Sequence, residues 1–140
     1  MIRAADLVFI DTGAFIAAAV VADNHHEEAA AIWDELLAKG ARPVTSVPVV
    51  AETFTYLQRR IGPSVALAWR SAASSIPRLS ILDCSAADLA ASWDWFDRRE
   101  LHKLGLVDAT SFVLMKKHKL RRAFTFDAHF SAAGFKILHI

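Results

Sequence analysis

Two aspartates each follow a short run of strand-forming residues, one near either end of the chain. Asp11 comes after the apolar stretch 7–10 in LVFIDTGAF, and Asp127 closes the stretch 122–126 in RAFTFDAHF. In an open parallel sheet, ligands bind outside the carboxyl ends of the strands. The two aspartates can therefore belong to one site, although 116 positions separate them.

Two further carboxylates interrupt segments that are otherwise apolar. Glu52 is the only charged residue between Pro48 and Arg59, and Asp108 is the only one in GLVDATSFVLM, residues 105–115. A carboxylate close to an apolar core is costly unless it is paired or bound to a metal. A cluster of such acids repels itself, and a hard divalent cation is the usual remedy.

These acids suggest a particular chemistry, which is metal-assisted cleavage of phosphodiester bonds. Oxygen ligands without cysteine or convergent histidine favour Mg²⁺, with Mn²⁺ able to substitute, over zinc. A metal held in this way activates water and neutralises charge on a phosphate. Residues 98–140 carry nine basic and three acidic residues, which suits a polyanionic substrate. The combination favours hydrolysis of nucleic acid.

Each acid also has a structural interpretation. Asp11 can start a helix, Asp108 can cap one, and Asp127 can form an Asx-turn. Glu52 can pair with Arg59 or Arg60. Taken together, this interpretation requires four independent coincidences at the ligand-binding edge of one sheet.

The elements that must position these acids alternate between strand and helix. Strands are predicted at about 6–10, 43–46, 79–83, 122–126 and 136–139. Helices are predicted from Ala14, at 25–39, 48–60, 63–75, 86–100 and 107–118, and in a short turn before the last strand. The pattern predicts one α/β domain over residues 1–140. Its central, mainly parallel sheet has about five short strands flanked by helices.

The segment 63–76 carries an apolar stripe at helical spacing, which consists of Val65, Trp69, Ala72 and Ile76. The alternatives are packing against the sheet and a contact between two copies of the chain. The hydrophobic fraction of 54% leads us to expect a homodimer contact here.

Composition also bears on the cellular compartment. The longest apolar run, Ala14 to Ala22, has nine residues, too few to cross a bilayer. Asp6 and Asp11 interrupt the first apolar stretch, so we expect no signal peptide. The single cysteine, Cys84, excludes an internal disulfide and a cysteine-rich metal site. We expect a cytoplasmic protein without a membrane segment.

Three segments in order, IDTGAF, TSVPVVAETF and LVDATSFVLMKKHKLRRAFTFDAHF, resemble the PIN domain. The resemblance is specifically to the VapC-like toxin ribonucleases of toxin–antitoxin pairs, and it covers nearly the whole chain. No single segment is specific, but their combination is.

The resemblance implies a Mg²⁺-dependent endoribonuclease with four catalytic acids that also bind the metal: Asp11, Glu52, Asp108 and Asp127. Thr12 would support the site, and Thr125 would orient Asp127. The family also implies RNA as substrate, a homodimer, and a cognate antitoxin whose tail enters the active groove.

The loop ahead of Asp108 departs from the family pattern. Relatives often carry an acid and a serine there, whereas this chain has His102, Lys103 and Gly105. The loop just ahead of Asp108 lies near the acids and is basic, so we expect four of its residues to contact the RNA: Arg98, Arg99, His102 and Lys103.

Alternatives from other classes fit less well. A haloacid-dehalogenase-type phosphatase needs a second aspartate where Gly13 stands, and a receiver domain needs an acid pair after its first strand. A PIN-like module that binds RNA or a partner without cutting is the main alternative, and loss of an acid would mark it. Action on DNA also stays open, because the sequence does not show which residue reads the 2′-hydroxyl.

Overall fold

The computed structural model of the chain describes residues 2–139. The strands are Leu7–Ile10 (β1), Arg42–Ser46 (β2), Ser80–Leu82 (β3), Arg122–Phe124 (β4) and Lys136–Ile137 (β5). The α-helices are Thr12–Ala19 (α1), His26–Ala38 (α2), Val47–Tyr56 (α3), Pro63–Ser74 (α4), Ala86–Ser92 (α5), Leu106–Lys117 (α6) and His129–Ala132 (α7).

The five strands form one sheet in the order β3-β2-β1-β4-β5, and every described pairing is parallel. This confirms the predicted α/β class and the predicted number of strands. From the central strand β1 the chain first builds outward through β2 and β3, and then crosses to add β4 and β5. The direction of growth reverses between β1 and β4, and such a reversal opens a crevice at the carboxyl ends of the two strands.

Local sequence explains where several helices begin and end. Ser46 caps α3 by accepting a hydrogen bond from Val49 N (3.3 Å), and proline occupies the first turn. Ser85 and Asp88 form a reciprocal capping box at the start of α5. After α3 a π-helical turn, Leu57–Ile61, leads to Gly62. Its φ is 156°, a conformation that glycine adopts more easily than other residues.

The core lies on both faces of the sheet and fixes the rotation of α6. All three of Val8, Phe9 and Ile10 in β1 are fully buried. Phe112 and Met115 of α6 are buried as well, and Phe112 packs edge-on against Phe130 with ring centroids 4.9 Å apart. Asp108 lies one turn before Phe112 on the same face, so this packing brings its carboxyl to the crevice.

Several predicted boundaries were wrong. The predicted helix 86–100 ends at Ser92 and continues as 3₁₀ turns, Trp93–Asp97 and Arg99–Leu101. Trp95 packs against Phe112 from these turns, with ring centroids 5.0 Å apart, so tertiary contacts hold the tighter geometry.

The terminal elements are also shorter or shifted. The predicted strand 122–126 ends at Phe124, and the predicted strand 136–139 ends at Ile137. Helix α1 begins at Thr12 rather than at Ala14. Within residues 2–139, no helix is both long and apolar enough to cross a membrane.

Candidate functional site

The crevice between β1 and β4 contains all four acids singled out from the sequence. Asp11, Glu52, Asp108 and Asp127 line one cavity of about 470 Å³. The other lining residues are Thr12, Gly13, Ile16, Phe126 and Ala128. Four elements contribute the acids: the end of β1, helix α3, the first turn of α6 and the turn after β4. Their catalytic and metal-binding roles stay a prediction.

Strand register explains the position of Asp11. Ile10 pairs with Phe124, and Asp11 N donates to Phe124 O (3.1 Å), which continues the β1–β4 ladder by one residue. Thr125 therefore lies beside Asp11, and its hydroxyl donates to Asp11 Oδ2 at 2.8 Å. The side chain of Asp11 is only 4% exposed. Its other oxygen, Oδ1, is buried without a hydrogen-bond partner in the described part of the chain.

The two threonines differ in their contacts. Thr125 was predicted to orient Asp127, and its oxygen does accept a hydrogen bond from Asp127 N (3.1 Å) while donating to Asp11. One hydroxyl thus connects two of the acids. The hydroxyl of Thr12 is buried and has no hydrogen-bond partner among residues 2–139. Its supporting role stays a prediction. Thr12 directly follows Asp11 in the sequence, and both residues line the same cavity.

Asp127 is held by the residue two positions further along. His129 N donates to Asp127 Oδ1 (2.8 Å), which is the Asx-turn contact anticipated as its structural interpretation. The ring Nδ1 of His129 lies 3.0 Å from the same oxygen, and its Nε2 lies 2.7 Å from His102 O. Both partners are acceptors, so a neutral imidazole donates to one of them and an imidazolium donates to both. His129 therefore connects the acidic site to the loop that carries His102.

Glu52 differs from the other acids because its side chain is exposed. The expectation that it lies near the core was wrong: α3 buries Val49 and Thr53 and turns Glu52 toward the cavity and solvent. Neither Arg59 nor Arg60 forms an ion pair with it in residues 2–139. A long, exposed carboxylate at the edge of the crevice can reach a ligand without a large cost of desolvation.

Burial and mutual repulsion dominate the electrostatics of the site. Burial raises the pKa of Asp11 from its ordinary value of 3.8 to about 6, and the hydrogen bond from Thr125 opposes this rise. Burial also raises the pKa of Asp108 to about 8, and the negative charge of Asp11 is the next cause. Hydrogen bonding with Asp127 also favours the protonated form of Asp108, and the charges of Asp127 and Glu52 add to the repulsion that raises its pKa. Within residues 2–139, no lysine or arginine forms an ion pair with these acids. The cluster therefore concentrates negative charge, which raises its affinity for protons.

The donor set fits a divalent cation. Asp108, Asp127 and His129 each offer one ligand atom, and these atoms lie within 4.8 Å of one another. The unpaired Oδ1 of Asp11 is a buried acceptor at the same cavity. A cation would satisfy this oxygen and remove the repulsion that raises the two pKa values. The sequence predicted a site of oxygen ligands only, and the structure adds an imidazole nitrogen at its edge.

The predicted RNA-contacting loop lies beside the site, and its residues are differently engaged. Arg98 Nε donates to Glu100 Oε1 (2.7 Å), and its guanidinium lies 4.9 Å from the centre of the Trp95 ring. Arg99 and Lys103 are exposed on a cavity of about 260 Å³. Among these residues, the backbone of His102 is the one bonded to the site, through His129. The prediction of a role in substrate binding is therefore stronger for Arg99 and Lys103 than for Arg98 and His102.

The apolar stripe of α4 is partly buried. Trp69 packs edge-on against Phe15, with ring centroids 5.4 Å apart, and is 8% exposed. Val65, Ala72 and Ile76 line an open apolar groove of about 510 Å³ together with residues of α1 and α2. Part of the stripe therefore belongs to the core. The expected homodimer contact at this groove stays a prediction.

Sequence reasoning missed the aromatic wall of the cavity. Phe126 lines it, and the His25 ring stacks on Phe126 with centroids 4.3 Å apart and planes 8° from parallel. His25 lies at the start of the helix predicted at 25–39, and no local signal connects it with a residue 101 positions later. His129 could have been found, because it follows Asp127 at the spacing of an Asx-turn.

Comparisons with known proteins agree with this geometry. The PIN domain profile matches residues 8–136. The chain is 35% identical over 130 residues to the 23S rRNA-specific endonuclease VapC20 of Mycobacterium tuberculosis, with 92% of this chain and 95% of the relative covered. The crystal structure of that organism's VapC20, a sarcin-ricin loop cleaving toxin, matches with a TM-score of 0.84 and 32% identity over 95% of this chain and 99% of that one. A VapBC2 complex from Rickettsia felis, bound to a promoter DNA fragment, shares the fold at a TM-score of 0.68 and 19% identity, covering 94% and 97% of the two chains.

Proposed function

Because the chain belongs to the PIN-domain family, we propose that it is an endoribonuclease and the toxin of a toxin–antitoxin pair. We further propose that its activity depends on Mg²⁺, that Mn²⁺ can substitute, and that it acts in the cytoplasm. All 140 residues would form one nuclease domain. The resemblance noted in the sequence is confirmed at the level of the family.

One observation carries the proposal: four carboxylates from four separate elements meet at the topological reversal of the sheet. A fold does not need this arrangement for stability, since burial and repulsion raise the pKa values of two of these acids. A module that only binds RNA would have no use for an uncompensated acidic cavity, which repels phosphates unless a cation is present.

The residues that would hold the metal are Asp11, Asp108, Asp127 and, from the exposed side, Glu52. A bound divalent cation supplies an acidified water and neutralises charge on the scissile phosphate. Thr125 fixes Asp11 and the backbone of Asp127, and His129 fixes the carboxylate of Asp127. These contacts hold the acids in place before the substrate arrives, so little reorganisation is needed on binding.

The substrate class follows from charge and from the relative. Arg99 and Lys103 place positive charge on the loop next to the acidic cavity and would bind RNA phosphates on either side of the cut. The relative with 35% identity is named as specific for 23S rRNA. We propose 23S rRNA as the first candidate substrate of this chain.

The partners implied by the family are a cognate antitoxin and a second copy of the chain. An antitoxin tail that enters the acidic crevice would block the substrate directly. A basic side chain on that tail would also compensate the repulsion among Asp11, Asp108 and Asp127. The same charge balance that attracts a cation would therefore support inhibition.

The test is incubation of the purified protein with 23S rRNA, tRNA and mRNA, with EDTA, Mg²⁺ or Mn²⁺. We expect cleavage only with a divalent ion, and sequencing of the product ends identifies both substrate and cut. An Asp11→Asn variant, which keeps the shape of the side chain, is the control for contaminating nuclease. Binding of RNA without cleavage under all metal conditions would support the non-catalytic alternative, and cleavage of DNA in preference to RNA would correct the substrate class.

A further inference from the structure

A second charged cavity lies at the amino-terminal ends of β4 and β5, whereas the acids lie at the carboxyl ends of β1 and β4. It has a volume of about 660 Å³, and its floor is formed by Leu120, Gly134 and Phe135. Its walls carry five basic residues, Lys116, Lys119, Arg121, Arg122 and Lys136. No acidic side chain lines it within residues 2–139. We call this cavity the basic groove.

The chain breaks a local rule to place Lys119 at the basic groove. Helix α6 ends in a Schellman motif, in which Leu120 N donates to Met115 O (2.8 Å) and Lys119 N donates to Lys116 O (3.2 Å). Lys119 takes the left-handed position of this motif, with φ at 59°. Glycine is preferred there because a side chain is strained in this conformation. A lysine at this position sacrifices stability in exchange for a charge at the groove.

A second local rule is broken by the strands that border the groove. Arg122 of β4 and Lys136 of β5 are register partners in the parallel pair. Like charges on neighbouring strands destabilise a sheet. Arg122 is held by Asp6 (3.2 Å), but Lys136 adds a further positive charge beside it. Lys136 N also donates to Arg121 O (2.8 Å), which brings Arg121 to the same place. Two departures from stable design coincide at this cavity, which supports a functional role for it.

The position of the groove relates it to the acidic site. Asp108 lies in the first turn of α6 and Lys116 in its last turn, and eight residues of helix separate them by about 12 Å along the axis. In the same way, Arg122 opens β4, and Asp127 follows its end. The two cavities thus occupy opposite ends of the same two elements. An RNA strand of more than three nucleotides, running over the protein surface, can extend from one to the other.

We propose that the basic groove is a second RNA-binding site, which holds backbone phosphates several nucleotides from the bond that is cut. The proposal rests on the proposed ribonuclease function and adds a separate binding site to it. A polyanion is favoured over an acidic protein because the groove offers charge without an exposed apolar wall. Leu120 and Phe135 on its floor are 3% and 8% exposed. An acidic peptide would need apolar anchors, which the groove between α1, α2 and α4 offers instead.

The experiment compares two triple variants. In the first, Lys119, Arg121 and Lys136 are replaced by glutamine. The matched control replaces three exposed basic residues outside the groove: Lys39 just after α2, Arg60 in the π-helical turn and Arg70 in α4. Binding to a long single-stranded RNA is measured against salt in EDTA, so that it does not depend on cleavage. Cleavage of the long RNA and of a trinucleotide is then measured with Mg²⁺.

We expect the groove variant to bind the long RNA about tenfold more weakly, with a salt slope reduced by about two to three units. Its cleavage of the trinucleotide should equal that of the wild type, since a trinucleotide at the acidic site does not reach the groove. The control variant should bind the long RNA as the wild type does. An unchanged affinity and slope for the groove variant would overturn the proposal. So would an equal loss in the control, because net charge would then be the cause.

A single substitution separates the binding role from stability. Lys119→Gly should raise the Tm, because glycine relieves the left-handed strain, and should reduce the salt slope for long RNA by about one unit. A higher Tm with unchanged RNA binding would remove Lys119 from the site. Loss of polyglutamate binding with intact RNA binding in the triple variant would assign the groove to an acidic protein and refute the proposal. If the wild type cleaves no RNA, the proposed function fails, whereas the binding data still decide on the groove.

Discussion

Two aspartates are almost equally buried in this protein, and their surroundings are opposite. Asp88, at the start of α5, is 7% exposed, and Asp11, at the end of β1, is 4% exposed. Asp88 accepts hydrogen bonds from Ser85 N (3.0 Å) and Lys117 Nζ (3.1 Å), which lower the pKa of its carboxyl. Asp11 has one side-chain donor, Thr125, an unpaired oxygen and acidic neighbours, and burial raises its pKa.

The difference separates an acid that stabilises the fold from acids that are kept for a ligand. The carboxylate of Asp88 has a helix terminus and an ammonium group as permanent partners. Among the residues that the structure describes, no basic side chain lines the cavity that contains Asp11 and Asp108. Buried acids without a compensating positive charge are suited to bind a cation. The following predictions test this contrast between Asp88 and the acids of the cavity.

The largest expected effect is on cleavage. Asp11→Asn and Asp108→Asn should each reduce RNA cleavage by more than about 100-fold, because each removes a charged metal ligand while keeping the shape of the side chain. Asp127→Asn should be milder, since that residue lies on a turn. Asp88→Asn should cleave as the wild type does and have a lower Tm. Wild-type cleavage by Asp11→Asn or Asp108→Asn would remove that residue from the site.

The second effect is on the pH dependence of stability without metal. The raised pKa values mean that the folded protein binds more protons than the unfolded chain between about pH 4 and pH 8. The free energy of unfolding should therefore fall as the pH rises through this range. Asp108→Asn should flatten the decline and stabilise the protein at pH 8 by about 1–3 kcal/mol. Urea titrations in EDTA measure this.

Asp88 should behave in the opposite sense. Its lowered pKa means that its contribution is present above its ordinary value of 3.8 and is lost as the pH falls through the lower, folded-state value. Asp88→Asn should therefore lose stability at pH 5 and at pH 8 alike. A stabilised Asp88→Asn, or a pH profile of Asp108→Asn identical to that of the wild type, would contradict the contrast between the two acids.

A third effect, similar in size to the second, is expected from added metal. Binding to the folded state alone stabilises it by about 2.7 kcal/mol at a metal concentration 100 times the Kd. Mg²⁺ should therefore raise the Tm of the wild type and of Asp88→Asn at pH 8 by a similar amount. Asp108→Asn should gain little. Equal gains in all three proteins would mean that the metal binds elsewhere.

The smallest effect concerns His129, which contacts both Asp127 and the loop at His102. Its ring nitrogens can be replaced one at a time, because the amide of asparagine lies near the position of Nδ1 and that of glutamine near Nε2. His129→Asn should keep the contact with Asp127 and the metal affinity while weakening RNA binding a few-fold. His129→Gln should do the reverse. Identical effects of the two variants on metal and RNA binding would show that His129 only supports packing.

The fold and the set of acids were accessible from the sequence for identifiable reasons. Apolar runs that end on Asp11 and Asp127, and the helices around Glu52 and Asp108, carry local signals of strand, cap and lone charge. The convergence of the acids then followed from the general behaviour of parallel sheets. The strand order and the exposure of Glu52 were not accessible, because they depend on which helix face packs and on which side of β1 the chain continues.

Contacts between distant segments account for the other features of the structure that the sequence did not predict. The stacking of His25 on Phe126 and the bond from His129 to His102 O join elements with no shared pattern in the sequence. The tightening of residues 93–101 into 3₁₀ turns depends on Trp95 packing against Phe112. The register that places Arg122 beside Lys136 could not be predicted without knowing that β4 pairs with β5. In each case tertiary packing decided the outcome over local propensity.

The hydrogen bond from Thr125 to Asp11 spans 114 positions of the chain, and this separation affects when the site can assemble. Parallel pairing of distant segments forms late in folding, since the entropy of closing a long loop is lost before the contacts compensate for it. Asp108, Thr125 and Asp127 also belong to the last third of the chain to be synthesised. A nascent chain that still lacks β4 holds no assembled site. The proposed nuclease would therefore be inactive during its own translation, because its site is complete only when the final strands join the first.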